Sequence, residues 1–268
     1  MRATEPVLSS PGSAANDPGP ATLVMPGRRA RAGEGATWIA DAWRLFRKAS
    51  LMWIVFLVLF FLIHLGLSLV PYAGIWLGNL VSPILMGGVA LGCRSLETGG
   101  ELELEHLLAG FRRNTGMLFA IGVVYALGEV ALIGVVGLFA GFPIVGAILS
   151  GDQTAIVDAL NSADLLRVAL GGLVAASLAM PLIAAYWFAP ALAMLHDVPA
   201  LPAMKESLLA CLRNFMPMLV YSLLMGLLLV VAMIPVFLGL IVWAPLLLAT
   251  VYTSYRSVFT EPDAEPGL

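Results

Sequence analysis

The sequence predicts an all-α polytopic membrane protein with six transmembrane helices and three short amphipathic interface helices. Hydrophobic residues make up 60% of the 268 residues and charged residues only 12%, whereas a soluble domain has roughly 45–50% apolar and about 25% charged residues. Too little polar surface is present to cover a water-soluble core. The chain also contains a series of long apolar runs and a one-sided distribution of basic residues.

The two ends of the chain differ in composition from its middle. Residues 1–36 are rich in Pro, Gly, Ser and Ala and have no apolar period, which predicts a disordered N-terminal tail. No apolar segment closely follows Arg2, so these residues do not resemble a signal peptide. Residues 259–268 are acidic and contain Pro, and we expect a second disordered tail there. Residues 37–258 form the predicted transmembrane domain.

Six apolar runs in this domain are long enough to cross a membrane, which takes roughly 20 residues of helix. A very short turn separates the first two runs, and Pro235 and Gly239 mark the turn between the last two. The fourth run is long and contains Pro181 and Pro190. The predicted spans are residues 51–70, 75–93, 117–141, 168–195, 215–234 and 236–255.

The basic residues predict the orientation of these spans, because cytoplasmic loops of membrane proteins carry an excess of Lys and Arg. If the N terminus is placed inside, the inner segments hold thirteen of the fourteen basic residues and the outer segments hold only Arg167. Both termini are therefore predicted to be cytoplasmic. Basic side chains at the inner surface attract anionic lipid. The candidate lipid contacts are Arg47, Lys48, Arg112, Arg113 and Arg213.

A short amphipathic segment precedes the first, third and fifth spans. In each segment apolar residues recur at helical spacing opposite charged residues. This arrangement is typical of a helix in the plane of the membrane interface, and the alternative is a surface helix that packs on the protein itself. The apolar faces are Trp38, Ala42, Trp43 and Phe46; Leu104, Leu107, Leu108 and Phe111; and Met204, Leu208, Cys211 and Leu212.

The chain also shows signs of an internal repeat of three hairpin units. Met52, Met117 and Met218 each lie six residues after the first residue of a Phe-Arg or Leu-Arg pair. Pro83 and Pro245 each precede an Arg-Ser pair by eleven residues. We therefore predict a threefold hairpin repeat with an outer insertion at residues 142–167, the alternative being that membrane hairpins simply look alike.

Several segments resemble a family of six-pass bacterial inner-membrane proteins to which no activity is assigned. They are residues 185–192 (AYWFAPAL), 196–199 (HDVP), 110–116 (GFRRNTG) and 43–46 (WRLF). The likeness covers about residues 38–259 and implies six spans in the bacterial inner membrane. Residues 189–214 more distantly resemble the membrane domain of some glycerophosphodiester phosphodiesterases. Neither resemblance supplies a catalytic residue.

The sequence contains no recognisable catalytic or metal-binding motif. It has no phosphate-binding GxxxxGK[ST] loop, no HExxH and no GxSxG. His106 and His196 are isolated, and Cys93 and Cys211 lack a metal-type spacing. The basic residues are dispersed along the membrane edge, which argues against nucleic acid. We therefore expect a protein that is not an enzyme, has no cofactor, and has membrane lipids and other membrane proteins as its partners.

Two ionisable residues, His64 and Glu129, lie within the predicted spans, where charge is costly and indicates function by default. Each lies twelve residues after a matched methionine, so both are about 18 Å from the inner boundary at a rise of about 1.5 Å per residue. A direct His64–Glu129 pair is one hypothesis. The alternative is that Glu129 bonds Tyr125 or a backbone carbonyl.

Two classes of function remain open. The first, which we favour, is a non-enzymatic membrane module that acts through lipids or partner proteins. The second is a small transporter or permease that uses His64 and Glu129. Transporters usually have several polar residues along a pathway, and here Asn79, Ser82 and Ser177 add polarity to the spans.

Overall fold

The computed structural model describes residues 22–70, 73–150, 153–162 and 164–261. Apart from one isolated β-bridge, the regular structure of these residues is helical, which confirms the predicted all-α class. A 3₁₀ turn, Ala109–Phe111, follows the fourth helix. The helices are α1 (Glu34–Lys48), α2 (Ser50–Ser68), α3 (Gly74–Glu97), α4 (Leu104–Leu108), α5 (Thr115–Ala140), α6 (Phe142–Ser150), α7 (Gln153–Ser162), α8 (Leu165–Trp187), α9 (Ala189–His196), α10 (Ala200–Arg213), α11 (Phe215–Met233) and α12 (Leu240–Phe259).

Within the described residues, five helical segments are long and apolar enough to cross a membrane. They expose many large apolar side chains, among them Phe61, Leu127, Leu173 and Leu223. Apolar surface on this scale is unfavourable in water and suits a lipid environment. The protein is therefore an integral membrane protein. The five segments are Ser50–Ser68, Trp76–Glu97, Thr115–Phe139, Leu165–His196 and Phe215–Met233.

The sixth predicted span, residues 236–255, corresponds to α12, which begins only at Leu240. Val236 and Phe237 have φ angles of 52° and 65°, which an α-helix cannot continue through. The second half of α12 is rich in Thr, Ser and Tyr, and α12 is not one of the five membrane-length segments. A count of six spans therefore remains a prediction, as does the threefold repeat.

Helix α3 lies at the centre of the bundle. It contacts α2, α4, α5, α9 and α12. In the most apolar 18 residues of this helix, 56% of the residues are buried, compared with no more than 22% in the other four membrane-length segments. Small residues on α3 and on its neighbours permit this close packing. A Cβ atom added at Gly110, in the 3₁₀ turn, would lie 2.2 Å from the carbonyl oxygen of Ile84 on α3.

The predicted fourth span is divided into α8 and α9 at Phe188, just before Pro190. The hydroxyl of Ser207, on α10, lies inside this break. It accepts a hydrogen bond from the Phe188 amide at 2.9 Å and donates one to the Ala184 carbonyl at 2.6 Å. These two backbone groups are four residues apart and would bond each other in a continuous helix. Ser207 therefore satisfies both groups where the helix is interrupted.

The first of the three amphipathic segments does not present its apolar face to lipid. Trp38, Ala42 and Phe46 are buried, and α1 packs on α11 and α12. Only Trp43 of the predicted apolar face is exposed. The alternative interpretation, a helix packed on the protein, thus describes α1. The other two segments divide their apolar residues between the protein interior and the surface, with Leu107 buried and Leu108 exposed in α4.

The predicted N-terminal tail, residues 1–36, differs from the structure over its described part. Backbone amides of Val24 and Arg28 donate to the carbonyls of Phe259 and Val258, both at 2.8 Å, and Glu34 begins α1. We call residues 22–33 the strap. Backbone pairing of this kind requires no apolar period, which is why composition did not reveal it. Phe259, the first residue of the predicted C-terminal tail, is buried and is the last residue of α12. Residues 1–21 and 262–268 lie outside the described part of the chain.

Candidate binding pocket and intramembrane polar groups

A cavity of about 490 Å³ opens at the end of the bundle where α3, α9 and α12 end. We call it the basic-end pocket, because basic side chains collect at this end of the bundle. The strap, α1 and the last turns of α3, α9 and α12 form its walls. The basic residues at this end include Arg28, Arg47, Lys48, Arg94, Arg112, Arg113, Arg213 and Arg256.

Arg256 joins three helices on one side of the basic-end pocket. Its guanidinium donates to Asp41 of α1 at 2.9 Å and also to Glu97 of α3. The hydroxyl of Tyr252, one turn earlier on α12, donates to Glu97 at 2.6 Å. Since all three charged side chains are half-buried, the ion pairs are shielded from water. The two carboxylates are thereby occupied by protein groups.

Glu34 forms a second charged cluster, between the strap and α12. Its carboxylate accepts hydrogen bonds from the Arg28 guanidinium at 2.9 Å, the Arg31 amide at 2.8 Å and the Ser257 hydroxyl at 3.0 Å. Burial opposes ionisation of Glu34, but these hydrogen bonds and the positive charge of Arg28 outweigh it and hold the pKa of Glu34 below its usual value. Arg28 and Glu34 therefore neutralise each other.

Arg94, on the last turns of α3, is the remaining guanidinium in the wall of the pocket. Within the described part of the chain it has no ion pair and its side chain has no hydrogen bond. It lies near His196 of α9 and Tyr255 of α12, which bond each other at 2.5 Å, and interacts electrostatically with both. Its positive charge thus has no carboxylate of the described residues within ion-pair distance.

Two further donors in the pocket wall lack acceptors among the described residues. The indole Nε1 of Trp38 and the Nε of Arg28 are both buried without a hydrogen-bond partner. Trp38 is only 1% exposed. A buried N–H group without an acceptor is costly, roughly 1–3 kcal/mol. The wall therefore combines one arginine without a described ion pair, Arg94, with two unsatisfied donors, while Glu261, also in the wall, is an exposed carboxylate.

His64 and Glu129 do not bond each other in the described part of the chain. His64 Nε2 lies 2.9 Å from the Ser82 hydroxyl and its Nδ1 lies 2.9 Å from the Phe60 carbonyl oxygen. Glu129 accepts a hydrogen bond from the side-chain amide of Asn79. The hypothesis of a direct bond between His64 and Glu129 is thus corrected. Both side chains bond instead to the central helix α3, which offers polar partners closer to each of them.

Asn79 and Ser82 are three residues apart on α3, so they share one region of its surface. Four polar side chains from α2, α3 and α5 therefore meet at comparable depth in the bundle. The tyrosine alternative for Glu129 is not observed either, since Tyr125 packs on the ring of Tyr186 with centroids 4.9 Å apart. Asn79 and Ser82 were recognisable in the sequence as polar residues within a span, but no local pattern identified them as the partners of His64 and Glu129.

The five candidate lipid contacts all lie exposed at the basic end. Lys48 donates to the Leu96 carbonyl at 2.8 Å, and Arg113 lies 3.9 Å from Asp197. Arg213 contacts the Pro26 carbonyl of the strap at 3.4 Å. Arg47 and Arg112 have no ion pair with another described residue. Positive charge is therefore available to anions at the surface as well as inside the pocket.

The chain is similar to a probable inner membrane protein of Burkholderia thailandensis, with 29% identity over 195 residues that cover 71% of each chain. No protein-family model matches the chain, and no solved structure matches it. The similarity agrees with the inner-membrane location that the sequence predicts. The likeness to the membrane domain of glycerophosphodiester phosphodiesterases receives no support from these comparisons.

Proposed function

We propose that the chain is a non-enzymatic module of the bacterial inner membrane that acts through anionic lipids and partner proteins at its basic end, with both termini in the cytoplasm. The observation that carries this proposal is the pairing of exposed basic and exposed apolar side chains at the basic end. Phe111 and Arg112 are adjacent and exposed, as are Leu212 and Arg213. Such pairs suit the membrane interface.

Electrostatics favours anionic lipid as the surface partner. Each Lys or Arg near an anionic leaflet contributes about 1 kcal/mol of attraction, which falls off within a Debye length. Apolar neighbours such as Leu108 and Phe215, which are exposed at the same end, would enter the acyl boundary beside those charges. The relative from Burkholderia thailandensis, named as a probable inner membrane protein, supports the location.

A lipid-retention experiment tests this proposal. The purified protein would be equilibrated with detergent micelles that contain phosphatidylglycerol and phosphatidylcholine, and the retained lipids would be counted by native mass spectrometry. We expect the double variant R112Q/R113Q to retain less phosphatidylglycerol than the wild type. The matched control is R167Q, an exposed arginine at the N-terminal end of α8, far along the chain from these residues. Equal retention by R112Q/R113Q and the wild type would contradict the proposal.

The hydrogen bonds of His64 and Glu129 favour a second candidate, a small transporter or permease. These bonds bring four polar side chains from α2, α3 and α5 together inside the bundle. Proton flux into proteoliposomes would be compared for the wild type, E129Q and the exposed-serine control S177A. Flux that E129Q loses and S177A retains would support transport. A wild-type rate equal to that of empty vesicles would contradict proton transport through His64 and Glu129.

A further inference from the structure

We infer that the basic-end pocket binds a phosphate group, with Arg94 as its principal cationic ligand. This inference rests on the proposed function in one respect, since it names a ligand class and a site for interaction with anionic lipid. The shared chemistry is a phosphate monoester or diester, and it has two sources: a lipid headgroup or a soluble phosphate ester.

The wall contains three arginines, Arg28, Arg94 and Arg256, and four carboxylates, Glu34, Asp41, Glu97 and Glu261. An anion is therefore favoured locally, beside Arg94, and not by the net charge of the wall. Arg256 is paired with Asp41 and Glu97, and Arg28 with Glu34. The carboxylates of both clusters already form ion pairs with arginines of the protein. Arg94 alone of the three wall arginines lacks a described carboxylate partner. A bound anion would supply the missing countercharge.

The unsatisfied groups in the wall indicate the same kind of ligand. Trp38 Nε1 and Arg28 Nε are both donors, so what each lacks is an acceptor atom. Trp38 is almost fully buried, and its indole cannot turn to bulk water without unpacking α1 from α11 and α12. A ligand that carries several acceptor oxygens complements such a wall, whereas a metal cation or a protonated amine offers no acceptor atom.

A metal ion fits these residues poorly. No group of three or more His, Cys, Asp or Glu side chains among the described residues is arranged to hold a metal. Two carboxylates of the wall, Asp41 and Glu97, both bind the guanidinium of Arg256, which lies between them. The positive charge of Arg256 would repel a divalent cation at that position.

The size and level of the pocket suit a phosphate with an attached organic group. Its volume of about 490 Å³ lies within the roughly 300–1,000 Å³ of small-molecule sites. A guanidinium binds phosphate oxygens through two parallel N–H bonds. The wall is built from the ends of α3 and α9, both in membrane-length segments, so the pocket lies near the level of lipid headgroups.

Binding measurements on the full chain test the inference. The purified protein in a zwitterionic detergent would be titrated calorimetrically with glycerol 3-phosphate and, separately, inorganic phosphate. Retention of phosphatidylglycerol would be counted in the same preparations. We expect R94Q to weaken binding of at least one of these probes by about tenfold or more, since a hydrogen bond to a charged group contributes about that much. R94K should keep part of the affinity, because it retains the charge.

The matched control is R29Q, which removes the charge of an exposed arginine of the strap that is not part of the pocket lining. It should leave glycerol 3-phosphate binding unchanged. R94Q is expected to fold normally, because Arg94 has no described ion pair to lose, and thermal unfolding in detergent would verify this. An R94Q protein that binds every probe as tightly as the wild type would overturn the inference, as would a wild type that binds none of them.

The results also separate the pocket from the surface. Phosphatidylglycerol retention that depends on Arg112 and Arg113 but not on Arg94 would leave the proposed function intact and remove the pocket. Binding of glycerol 3-phosphate that depends on Arg94, with no preference for anionic lipid, would support the pocket and remove the lipid proposal. Loss of both soluble and lipid binding in R94Q alone would identify the lipid headgroup and the soluble ester as alternative occupants.

Discussion

Arg256 holds two carboxylates together that would otherwise repel each other. Asp41 and Glu97 are 17% and 28% exposed, so water screens them only in part. We expect R256Q to lower the free energy of unfolding by about 1–3 kcal/mol, below the roughly 3–5 kcal/mol of a fully buried pair. The measurement is equilibrium unfolding in detergent. R44Q is the control, because Arg44 pairs with the same Asp41 from a position 72% exposed and should matter by less than about 1 kcal/mol. Equal losses of unfolding free energy in R256Q and R44Q would contradict this role of Arg256.

Ser207 is the residue whose hydroxyl occupies the α8–α9 break. S207A removes the partner of both the Phe188 amide and the Ala184 carbonyl in a fully buried place. The expected loss of stability is about 1–3 kcal/mol, the cost of unsatisfied buried polar groups. S177A is the control, since the hydroxyl of Ser177 bonds the Leu173 carbonyl from an exposed position. An S207A variant as stable as the wild type would mean that the Phe188 amide and the Ala184 carbonyl bond each other directly once the hydroxyl is removed.

The ionised form of Glu34 should stabilise the protein in a defined range of pH. The folded pKa of Glu34 lies below its ordinary value of 4.5, so the stabilisation is fully present above that value and is lost as pH falls through the folded pKa. The E34Q variant should therefore lose stability at neutral pH and show a flatter dependence of melting temperature on pH below about 4.5. E105Q provides a comparison at an exposed carboxylate. Parallel acid profiles for wild type and E34Q would show that Glu34 carries no such linkage.

At the scale of elements, the existence of the helices was predictable and their environment was not. Spans of roughly 20 apolar residues are recognisable from length and composition alone. The apolar face of α1, however, contacts protein, although it has the composition of a lipid-facing helix. Lipid tails and protein interiors are similarly apolar, so the hydrophobic pattern cannot distinguish them. Whether an apolar face packs on another helix depends on how closely the two backbones can approach, and small residues permit that approach.

Gly35 provides such a contact between α1 and α11. A Cβ atom at this position would lie 2.2 Å from the carbonyl oxygen of Pro217 and 2.9 Å from the amide nitrogen of Tyr221. G35A should therefore force α1 away from α11 and cost about 1–3 kcal/mol of stability, as overpacked sites do. G33A is the control, because nothing lies within 4 Å of its added Cβ. If G35A unfolds under the same conditions as G33A, the close approach of the two helices is not required.

At the scale of the whole molecule, the basic-end pocket could not be predicted because its parts are far apart in the chain. Asp41 and Arg256 are separated by 215 positions, and they meet only once α1 packs on α12. Arg94 was visible as part of a repeated Arg-Ser pair, but no local pattern distinguishes an uncompensated arginine from a paired one. His64 and Glu129 were recognised as unusual from their positions within apolar runs. Their partners were missed because α3 lies at the centre of the bundle, which the sequence does not reveal.

The ends of the described chain bear on the number of membrane crossings. Leu23 and Thr260 face each other in the isolated β-bridge, so the strap and the end of α12 lie side by side. A chain whose two ends meet at one face crosses the membrane an even number of times between them. If all five helical segments that qualify by length and composition cross the membrane, parity predicts one further crossing. Helix α12 can supply it, because the hydroxyls of Thr250 and Ser254 bond backbone carbonyls at 2.7 Å and are thus satisfied away from water.

Reporter fusions test whether α12 is the sixth crossing. With six crossings and the basic end in the cytoplasm, a reporter after Ala159 should be active only outside, and reporters at Gly100 and at the C terminus only inside. Deleting α12 together with the residues that follow it should move a C-terminal reporter, now placed after Met233, to the outside. Truncation after Glu97, at the end of α3, is the control and should keep its reporter inside. A full-length chain whose C-terminal reporter is active outside would mean that α12 does not cross the membrane. It would also contradict the pairing of the strap with the end of α12.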